Sequence, residues 1–359
     1  MKKNLSLPDA RRLIDRLEET HYLQREEYVS LLDARSPALA SYLFQKSRAA
    51  AQKKFGNAIY IRGLIEFTNH CKNDCYYCGI RRSNREVERY RLQQDAILAC
   101  AEAGWKLGFR TFVLQGGEDP YFTDQRLCSI VRALKAAHPD SAVTLSVGER
   151  SRESYRLLRA AGADRYLLRH ESADPIHYAK LHPPGQTLKN RMTCLQELKE
   201  LGFQTGAGFM VGSPWQTTAH LAADLVFLQD FQPQMVGVGP YLPHHQTPFA
   251  DRPAGSMELT LFLIGLIRLM LPAVLLPATT ALGTIHPEGR EKGILAGANV
   301  VMPNLSPPTV RDSYSLYDNK LNTGAESAER LNELSNRLSR IGYSIVIDRG
   351  DYAPASASS

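Results

Sequence analysis

The alternation of two hydrophobic patterns from residue 58 onward constrains the fold of this chain more than any other feature. Short runs rich in aliphatic and β-branched residues predict strands, at Ile61–Thr68, Thr111–Gln115, Val143–Val147, Arg165–Arg169, Thr205–Val211, Val236–Tyr241, Val274–Thr279 and Asn299–Met302. Amphipathic segments between them predict helices, near residues 94–107, 124–137, 150–161, 188–201, 217–230, 258–270 and 288–296. Because repeated βα units require parallel strands with right-handed crossovers, the sheet is expected to be parallel.

This order of elements predicts an α/β protein built as a (β/α)8 TIM-type barrel, with a six-unit partial barrel as the alternative. The chain divides into an N-terminal helical extension at residues 1–56, the barrel at residues 57–310 and a C-terminal extension at residues 311–359. The C-terminal extension is expected to hold a helix at Ala325–Leu338, a strand at Tyr343–Asp348 and a disordered tail at Ala353–Ser359. Functional side chains of such a barrel follow the C-terminal ends of its strands.

Composition narrows the class of protein. A charged fraction of 22% and a hydrophobic fraction of 43% exclude general disorder. The net charge of +6 is too small over 359 residues to indicate nucleic-acid binding. The N-terminus has no apolar signal core, and the most apolar stretch, Leu259–Ile285, is interrupted by Arg268, Pro272 and Pro277, so no membrane span is predicted. Six cysteines are too few for a disulfide scaffold, and a cytoplasmic location is expected.

Three cysteines follow the first predicted strand directly, at Cys71, Cys75 and Cys78. Three thiolates at this C-x3-C-x2-C spacing can wrap one soft metal centre, and on a four-iron cubane they leave one iron open. Structural zinc is the weaker alternative, because its fourth ligand would have to be the adjacent His70. A disulfide would leave one cysteine over, and unliganded core cysteines do not suit a polar loop. The spacing therefore favours an iron–sulfur site.

The same segment resembles the signature of the radical S-adenosylmethionine (radical SAM) superfamily, C-x3-C-x-aromatic-C after the first barrel strand, with Tyr77 at the aromatic position. The resemblance implies one 4Fe–4S cluster held by the three cysteines, with S-adenosylmethionine bound to the open iron. It also implies one-electron cleavage of that cofactor to methionine and a 5′-deoxyadenosyl radical. In such enzymes the cofactor carries the chemistry, and the barrel orients and shields it.

Two further strand ends are similar to elements of this superfamily. Gly116, Gly117 and Glu118 follow the second predicted strand and look like the element whose backbone meets the amino group of the methionine moiety. Met210 lies in a segment similar to the one that packs on adenine. The acidic residue often found shortly after that segment is Trp215 here, so this part of the pattern does not carry over.

Longer blocks are similar to the FeFe-hydrogenase maturase family HydE, over about residues 58–317. These blocks are Gly63–Asn69, Cys75–Asn84, Gln115–Pro120, Ala163–Glu171, Thr205–Gly208, Met210–Gly212, Pro277–Thr280 and Gly297–Asn304. The family implies that Glu171 and Arg191 hold S-adenosylmethionine, Arg191 by pairing with its carboxylate. It also implies that small anionic thiol-derived substrates meet a set of strand-end residues, Gln115, Arg169, Thr279 and Thr280. Met302, Tyr314 and Tyr317 either complete the upper wall of the cavity or serve in packing.

The chain departs from this family at two points. Many members carry a second cysteine trio after the Leu-Tyr element near the C-terminus, but no cysteine follows Cys194 here, so a single cluster is expected. Gly116 stands where the family often has serine, which removes a hydroxyl from the cavity. The remaining cysteines, Cys100, Cys128 and Cys194, lie on predicted amphipathic helices and are expected to be core thiols.

The resemblance implies a radical SAM enzyme of hydrogenase cofactor assembly that acts on a cysteine-derived, sulfur-containing or organometallic substrate. Its implied partners are the tyrosine-lyase maturase, the GTPase scaffold maturase and a reductant such as ferredoxin or flavodoxin. Methylornithine synthase, which rearranges lysine, is the nearest rival, and biotin synthase is disfavoured because a second-cluster cysteine set is lacking. From a different class, the chain could be a non-catalytic iron–sulfur or zinc binding module, although strand ends rich in Gly, Arg, Glu and Thr argue against it.

Overall fold

Two of the N-terminal helices begin at a serine cap that is followed by a proline in the first turn. The structure is a computed structural model that describes residues 5–322 and 324–354. Three helices open the chain, α1 (Leu7–Thr20), α2 (Arg25–Asp33) and α3 (Pro37–Phe55). The side chains of Ser6 and Ser36 cap α1 and α3 by accepting the backbone N–H of Asp9 and Leu39. Helices up to Gly56 were predicted, and these are confirmed; the three-part domain division stays a prediction.

Parallel strands and helices then alternate as the sequence predicts. The elements in chain order are β1 (Ala58–Ile61), β2 (Gly63–Thr68), α4 (Gln94–Lys106), β3 (Thr111–Gly116), α5 (Asp124–Ala137), β4 (Ala142–Ser146), α6 (Arg152–Ala160), β5 (Arg165–Leu167), α7 (Pro175–Leu181), α8 (Leu188–Glu200), β6 (Gln204–Val211), α9 (Thr218–Phe231), β7 (Met235–Pro240), α10 (Met257–Met270), α11 (Thr280–Ile285), α12 (Gly289–Leu295), β8 (Val300–Val301), α13 (Pro308–Arg311), α14 (Leu331–Arg340) and β9 (Ser344–Val346). Within the described residues, no helix is long and apolar enough to cross a membrane. The cytoplasmic location stays a prediction.

The strands make a TIM-type parallel α/β fold, which confirms the predicted class. Strands β2 to β7 pair in chain order in one six-stranded parallel sheet. Isolated parallel bridges then link β7 to Leu275, Pro277 to β8, and Asn304 back to Leu64 of β2. The parallel pairing therefore passes from one edge of the sheet to the other through eight segments. The apolar side chains of the strands and surrounding helices are buried together in one large core.

Three local predictions were wrong. Val274–Thr279 forms isolated bridges instead of a strand, and Pro277 explains part of this because it has no N–H for a ladder. The predicted strand at Ile61–Thr68 is divided, since Ile61 ends β1 and Gly63 begins β2. The predicted helix at Ala325–Leu338 begins only at Leu331, after two short 3-10 turns.

The C-terminal extension reaches the N-terminal end of the barrel. Strand β9, within the predicted Tyr343–Asp348, pairs in parallel with β1, and β1 pairs with β8. Beyond β9, the Thr111 hydroxyl at the start of β3 donates to the Arg349 carbonyl at 2.7 Å. Residues 355–359 of the tail that was predicted to be disordered lie outside the described residues.

Candidate active site

The cysteine loop begins where β2 ends at Thr68, and a dense set of hydrogen bonds holds it. The Asn69 amide donates to the carbonyl of Glu88 at 2.7 Å and to that of Ser313 at 2.6 Å. One guanidinium, that of Arg89, donates to four carbonyls of this loop, those of Asn69, Ile80, Arg81 and Asn84. Arg89 was missed by the sequence analysis, because nothing in its local pattern separates it from a surface arginine.

The three thiols of this loop are half-buried, and burial raises the pKa of each. For Cys75 burial, strengthened by the nearby Cys71 sulfur, raises the pKa to about 12. The Cys75 Sγ lies 3.5 Å from the Gln186 side-chain oxygen. Because neutral thiols do not ligate metals well, the trio can act as three thiolates only when a cationic centre offsets their charge.

The spacing of these sulfurs suits a cluster better than one zinc ion. Within the described residues, only His244, His245 and Asp318 bring three ligand atoms within 4.8 Å of one another, so at least one pair of cysteine sulfurs is farther apart than that. Sulfurs on one tetrahedral zinc, with bonds of about 2.3 Å, are separated by about 3.8 Å. A β-carbon on Gly117 would lie 2.7 Å from the Cys71 Cβ, so this glycine lets the end of β3 lie against the loop. Three cysteines on one loop are the donor set that a four-iron cluster takes, so the chemistry of these residues fits the expected cluster.

Glu118 and Glu149 lie side by side next to the loop. The Glu118 carboxylate pairs with Lys72 at 3.2 Å and accepts the backbone N–H of Glu149 at 2.9 Å. A β-carbon on Gly148, whose φ is +75°, would lie 2.0 Å from the Glu118 side chain. A glycine at this position is therefore what allows the two acidic residues to approach each other.

Arg191 lies on α8, almost fully buried, and already has two partners. Its Nε donates to Glu149 Oε1 at 2.5 Å, and its Nη1 donates to the Arg169 carbonyl at 2.5 Å. Its guanidinium also lies 5.9 Å from the centre of the Tyr178 ring. Glu149 was missed by the sequence analysis, although it follows the third predicted strand by two residues and so stands at a strand end. This ion pair orients Arg191 toward the end of β5.

An apolar patch lies beside the cysteine loop. Met210, at the end of β6, is buried with Leu181, Tyr241 and Phe249, and Tyr76 and Tyr77 pack against this group. The Tyr77 hydroxyl lies 3.3 Å from His182 Nε2. The structure thus brings the predicted residues Tyr77 and Met210 into one patch next to the predicted metal ligands.

Three of the predicted residues share a feature at the mouth of the barrel: buried polar atoms without a partner. These atoms are Arg169 Nε and Nη2, Glu171 Oε2 and Thr279 Oγ1. The Arg169 Nη2 and Glu171 Oε2 atoms are 3.4 Å apart, yet no hydrogen bond joins them. Glu171 has a φ of +63°, a strained conformation for a residue with a side chain. Buried polar atoms are normally satisfied, so this group is short of a ligand.

Glycines of β7 let this polar group lie close against the strand. The Arg169 Cδ would lie 3.9 Å from a β-carbon on Gly237, and the Thr279 hydroxyl would lie 2.7 Å from one on Gly239. The other two residues predicted for the cavity have protein partners. The Thr280 hydroxyl donates to Glu326 Oε2 at 3.2 Å, and Gln115 contacts the buried Tyr314 hydroxyl.

A segment of the C-terminal extension closes over the same end of the barrel. Lys320 Nζ pairs with Glu66 Oε1 of β2 at 2.6 Å, and the Asn304 amide donates to the other oxygen of that carboxylate at 2.8 Å. Glu66 is fully buried and was missed by the sequence analysis, as was Lys320. Of the residues considered for the upper wall, Tyr314 is buried under Lys320, whereas Met302 packs against the side of a small core cluster.

The remaining cysteines and the histidine trio have structural partners. Cys100, Cys128 and Cys194 are buried in the main core, which confirms that they are core thiols. In the trio, His245 Nδ1 lies 2.7 Å from Asp318 Oδ1, and His244 Nδ1 accepts the Gln246 backbone N–H at 3.1 Å. The Asp318 carboxylate is already bonded by the backbone N–H and the ring of His245, whereas His244 Nε2 lies 3.9 Å from it.

Comparison with known proteins agrees with this geometry. The family model described as the radical SAM superfamily matches residues 65–228. The FeFe hydrogenase maturase subunit HydE of Thermotoga maritima is 43% identical over 311 residues, which cover 87% of this chain and 88% of that protein. The 3-methylornithine synthase of Methanosarcina acetivorans is 28% identical, with 89% of this chain and 91% of that protein covered.

Solved structures of similar proteins have the same fold. A crystal structure of methylornithine synthase superposes with a TM-score of 0.82 and 26% identity, covering 93% of this chain and 97% of that chain. A structure of HydG, described as a maturase of the FeFe hydrogenase, superposes with a TM-score of 0.80 at 21% identity, covering 95% of this chain and 77% of that chain. The similarity to HydG, at 21% identity, shows a shared fold and nothing further.

Proposed function

The chain belongs to the HydE family of radical SAM enzymes, and from this premise we propose that it acts in assembling the active site of FeFe hydrogenase. Its reaction would begin with reductive cleavage of S-adenosylmethionine. The radical would then act on a small, cysteine-derived compound that contains sulfur or an iron–sulfur bond. Family membership sets aside the alternative of a non-catalytic binding module, since the family consists of enzymes.

In this proposal Cys71, Cys75 and Cys78 hold one 4Fe–4S cluster. When bound, the reduced cluster would give one electron to S-adenosylmethionine, whose C5′–S bond would break to leave methionine and a 5′-deoxyadenosyl radical. The protein contributes binding and orientation. The Gly116–Glu118 backbone and Glu171 would meet the amino acid part of the cofactor, and Arg191 its carboxylate. The Glu149 ion pair would keep the Arg191 guanidinium in place for that contact.

Tyr77 and Met210 would contact the adenosine part, because their apolar patch adjoins the cysteine loop. On the other side of the cavity, the Lys320–Glu66 pair would keep the C-terminal segment closed over the barrel mouth. Closure of this kind excludes water from the radical, and a dry site strengthens each electrostatic contact inside it.

The observation that carries the proposed substrate class is the Arg169 guanidinium, whose Nε and Nη2 make no hydrogen bond and whose charge is met only by Glu171 at 3.4 Å. The Thr279 hydroxyl is another buried polar atom without a hydrogen bond at this end of the barrel, where Thr280 and Gln115 were also predicted. A fork of N–H donors binds a carboxylate in a bidentate manner, and hydroxyls then fix the ligand's orientation. A small carboxylate with a sulfur atom suits this arrangement.

Methylornithine synthase activity is the second candidate, because that enzyme's structure covers 93% of this chain. Its substrate, lysine, has a carboxylate that Arg169 could bind and an extra amino group. Glu171 Oε2, which accepts no hydrogen bond, is one acceptor for such a group. The higher identity to HydE, 43% against 28%, favours the maturase.

The two candidates are separated by anaerobic titration of the reconstituted protein with a cysteine-derived thiazolidine carboxylate and, separately, with lysine. We expect the thiazolidine to bind and to raise the yield of 5′-deoxyadenosine from S-adenosylmethionine. Binding of lysine alone, with conversion of lysine, would replace the maturase proposal by the mutase. The tyrosine-lyase and GTPase scaffold maturases are the partners that hydrogenase assembly would require, and copurification with each tests them.

A further inference from the structure

An exposed aromatic and basic surface lies on the outside of the cysteine loop. We call it the Trp215 surface and define it by Ile176, Lys180, Trp215 and Arg252. The exposed fractions of Ile176 and Trp215, 70% and 45%, are high for large apolar residues. The Arg252 guanidinium lies 4.7 Å and the Lys180 ammonium 5.8 Å from the Trp215 ring centre. These four residues are not part of the cavity described above.

The backbone holds Trp215 in this exposed position. Its φ is +62°, which residues with a side chain seldom adopt, and aromatic residues least of all. The Gln216 side chain fixes the turn, because its amide donates to the Met210 carbonyl at 2.8 Å and its oxygen accepts the Gly212 N–H at 2.6 Å. The turn therefore stores strain while it exposes an apolar ring, a combination typical of functional sites.

The charges of the Trp215 surface are not neutralised within the protein. Among the described residues, neither Lys180 nor Arg252 takes part in an ion pair, whereas the nearby Lys72 and Arg81 pair with Glu118 and Asp74. Two unpaired cations around an exposed tryptophan suit an acidic protein partner. Tryptophan and arginine are the residues that most often dominate binding energy, and complementary charge speeds association.

Two aromatic residues, Phe249 and Tyr76, separate this surface from the metal ligands. The Trp215 ring meets Phe249 edge to face, with ring centres 5.5 Å apart, and Phe249 meets Tyr76 at 6.0 Å. Tyr76 adjoins Cys75 in the chain, and its N–H donates to the Leu181 carbonyl at the end of the helix that carries Lys180. A protein docked on the Trp215 surface would therefore lie over the outer side of the cysteine loop.

From this arrangement we propose that the Trp215 surface docks an acidic one-electron carrier protein that reduces the cluster of the cysteine loop. The inference rests on the proposed function, since it assumes a cluster at Cys71, Cys75 and Cys78. The carrier loses one electron and the cluster gains it, after which the carrier leaves. Lys180 and Arg252 steer the acidic carrier, and Trp215 supplies the apolar contact at the centre of the interface.

The test compares two reductants on the reconstituted holoenzyme. The rate of 5′-deoxyadenosine formation is measured with limiting reduced flavodoxin, an acidic carrier, and with dithionite, which needs no docking. We expect Lys180→Glu/Arg252→Glu to lower the flavodoxin-supported rate about tenfold or more while the dithionite-supported rate stays within about twofold of wild type. The matched control, Arg11→Glu/Lys53→Glu, reverses two exposed cations of the N-terminal helices and should change neither rate.

Two further measurements do not depend on that double variant. Trp215→Ala should weaken the binding of flavodoxin to the protein, measured by calorimetric titration, and should lower the flavodoxin-supported rate alone. Added salt should weaken that binding and slow the wild type with flavodoxin but not with dithionite, because salt screens exposed charges. Equal flavodoxin-supported rates in the wild type and both variants would overturn the docking proposal. A parallel loss with both reductants would also overturn it, since the residues would then support the cluster itself. If the wild type forms no 5′-deoxyadenosine with either reductant, the proposed function fails instead.

Discussion

Two arginines near the ends of the same strand have opposite environments. Arg165 begins β5, at the N-terminal end of the barrel, and its side chain is fully buried. It donates to Thr111 at 3.0 Å, to Gln204 at 3.2 Å and, at 2.7 Å each, to the Arg349 carbonyl and the Asp351 carboxylate. Arg169 follows the other end of β5, and two of its buried nitrogens have no partner.

The difference separates a structural cation from one that is available to a ligand. Arg165 binds residues 349–351 of the C-terminal extension at the N-terminal end of the barrel. Nearly all of its N–H groups donate to protein acceptors. Arg169 lies beside the cavity with unused capacity, which only a ligand or a rearrangement could satisfy. The same residue type therefore stabilises the fold at one end of the barrel and serves binding at the other.

The largest effect that we expect is on cluster binding at the mouth of the barrel. Cys75→Ala removes one of three thiolates, so we expect loss of the cluster and of 5′-deoxyadenosine formation. Iron analysis of the reconstituted protein should give about four irons per chain in the wild type and far fewer in the variant. Cys128→Ala, at a buried position of α5, is the matched control and should retain its iron. Iron retained in both variants would place the cluster elsewhere, and about eight irons in the wild type would indicate a second cluster.

At the N-terminal end of the barrel, we expect a substitution of Arg165 to lower stability rather than activity. Arg165→Met leaves the Asp351 carboxylate and the Arg349 carbonyl without their donor, so the free energy of unfolding should fall by about 3 kcal/mol. Urea unfolding followed by circular dichroism measures it. The exposed Arg12, paired with Asp9, offers the control Arg12→Met, which should cost less than about 0.5 kcal/mol. Equal costs for the two variants would remove the distinction between the two ends of the barrel.

In contrast to Arg165→Met, Arg169→Lys should weaken ligand binding and leave stability nearly unchanged. The charge remains but the planar fork is lost, so we expect thiazolidine binding to weaken about tenfold, with iron content unchanged. The unfolding free energy should change by less than about 1 kcal/mol, because Arg169 makes few contacts that folding depends on. Calorimetric titration and urea unfolding of the same preparation measure both quantities. A large loss of stability with full binding would assign Arg169 to the fold.

The smallest effect that we expect is on the loss of stability at low pH. Burial alone would raise the pKa of Asp351, but hydrogen bonds from Arg349 and Arg165 outweigh it and hold the pKa below its usual value. A carboxyl whose pKa is lowered on folding stabilises the protein above its unfolded pKa, about 3.9, and that stabilisation is lost as the pH falls below it. Asp351→Asn should therefore narrow the stability difference between neutral pH and pH of about 3, measured by urea unfolding. Asp348→Asn, at an exposed carboxyl nearby, should leave that difference unchanged.

Much of the site could be predicted from the sequence because its parts are local. The cysteines lie within eight residues of one another, and Gly116, Gly117 and Arg169 follow strands whose apolar runs are clear. A strand end in a parallel barrel can point only to the mouth, so position along the chain translates into position in space. The residues that were missed have a different character. Glu149, Arg89 and Lys320 act through partners 42, 20 and 254 residues away, respectively.

The sequence by itself therefore determined the βα order, the parallel sheet and the spacing of the metal ligands, since each depends on residues close together in the chain. The tertiary structure decided which charges are used up and which remain available. It pairs Arg165 with Asp351, 186 residues away, whereas Arg169 meets only the neighbouring Glu171 and keeps two buried nitrogens without a hydrogen bond. The physical reason is that an arginine's partner depends on which distant segment the folded chain lays against it, and no local pattern records that approach.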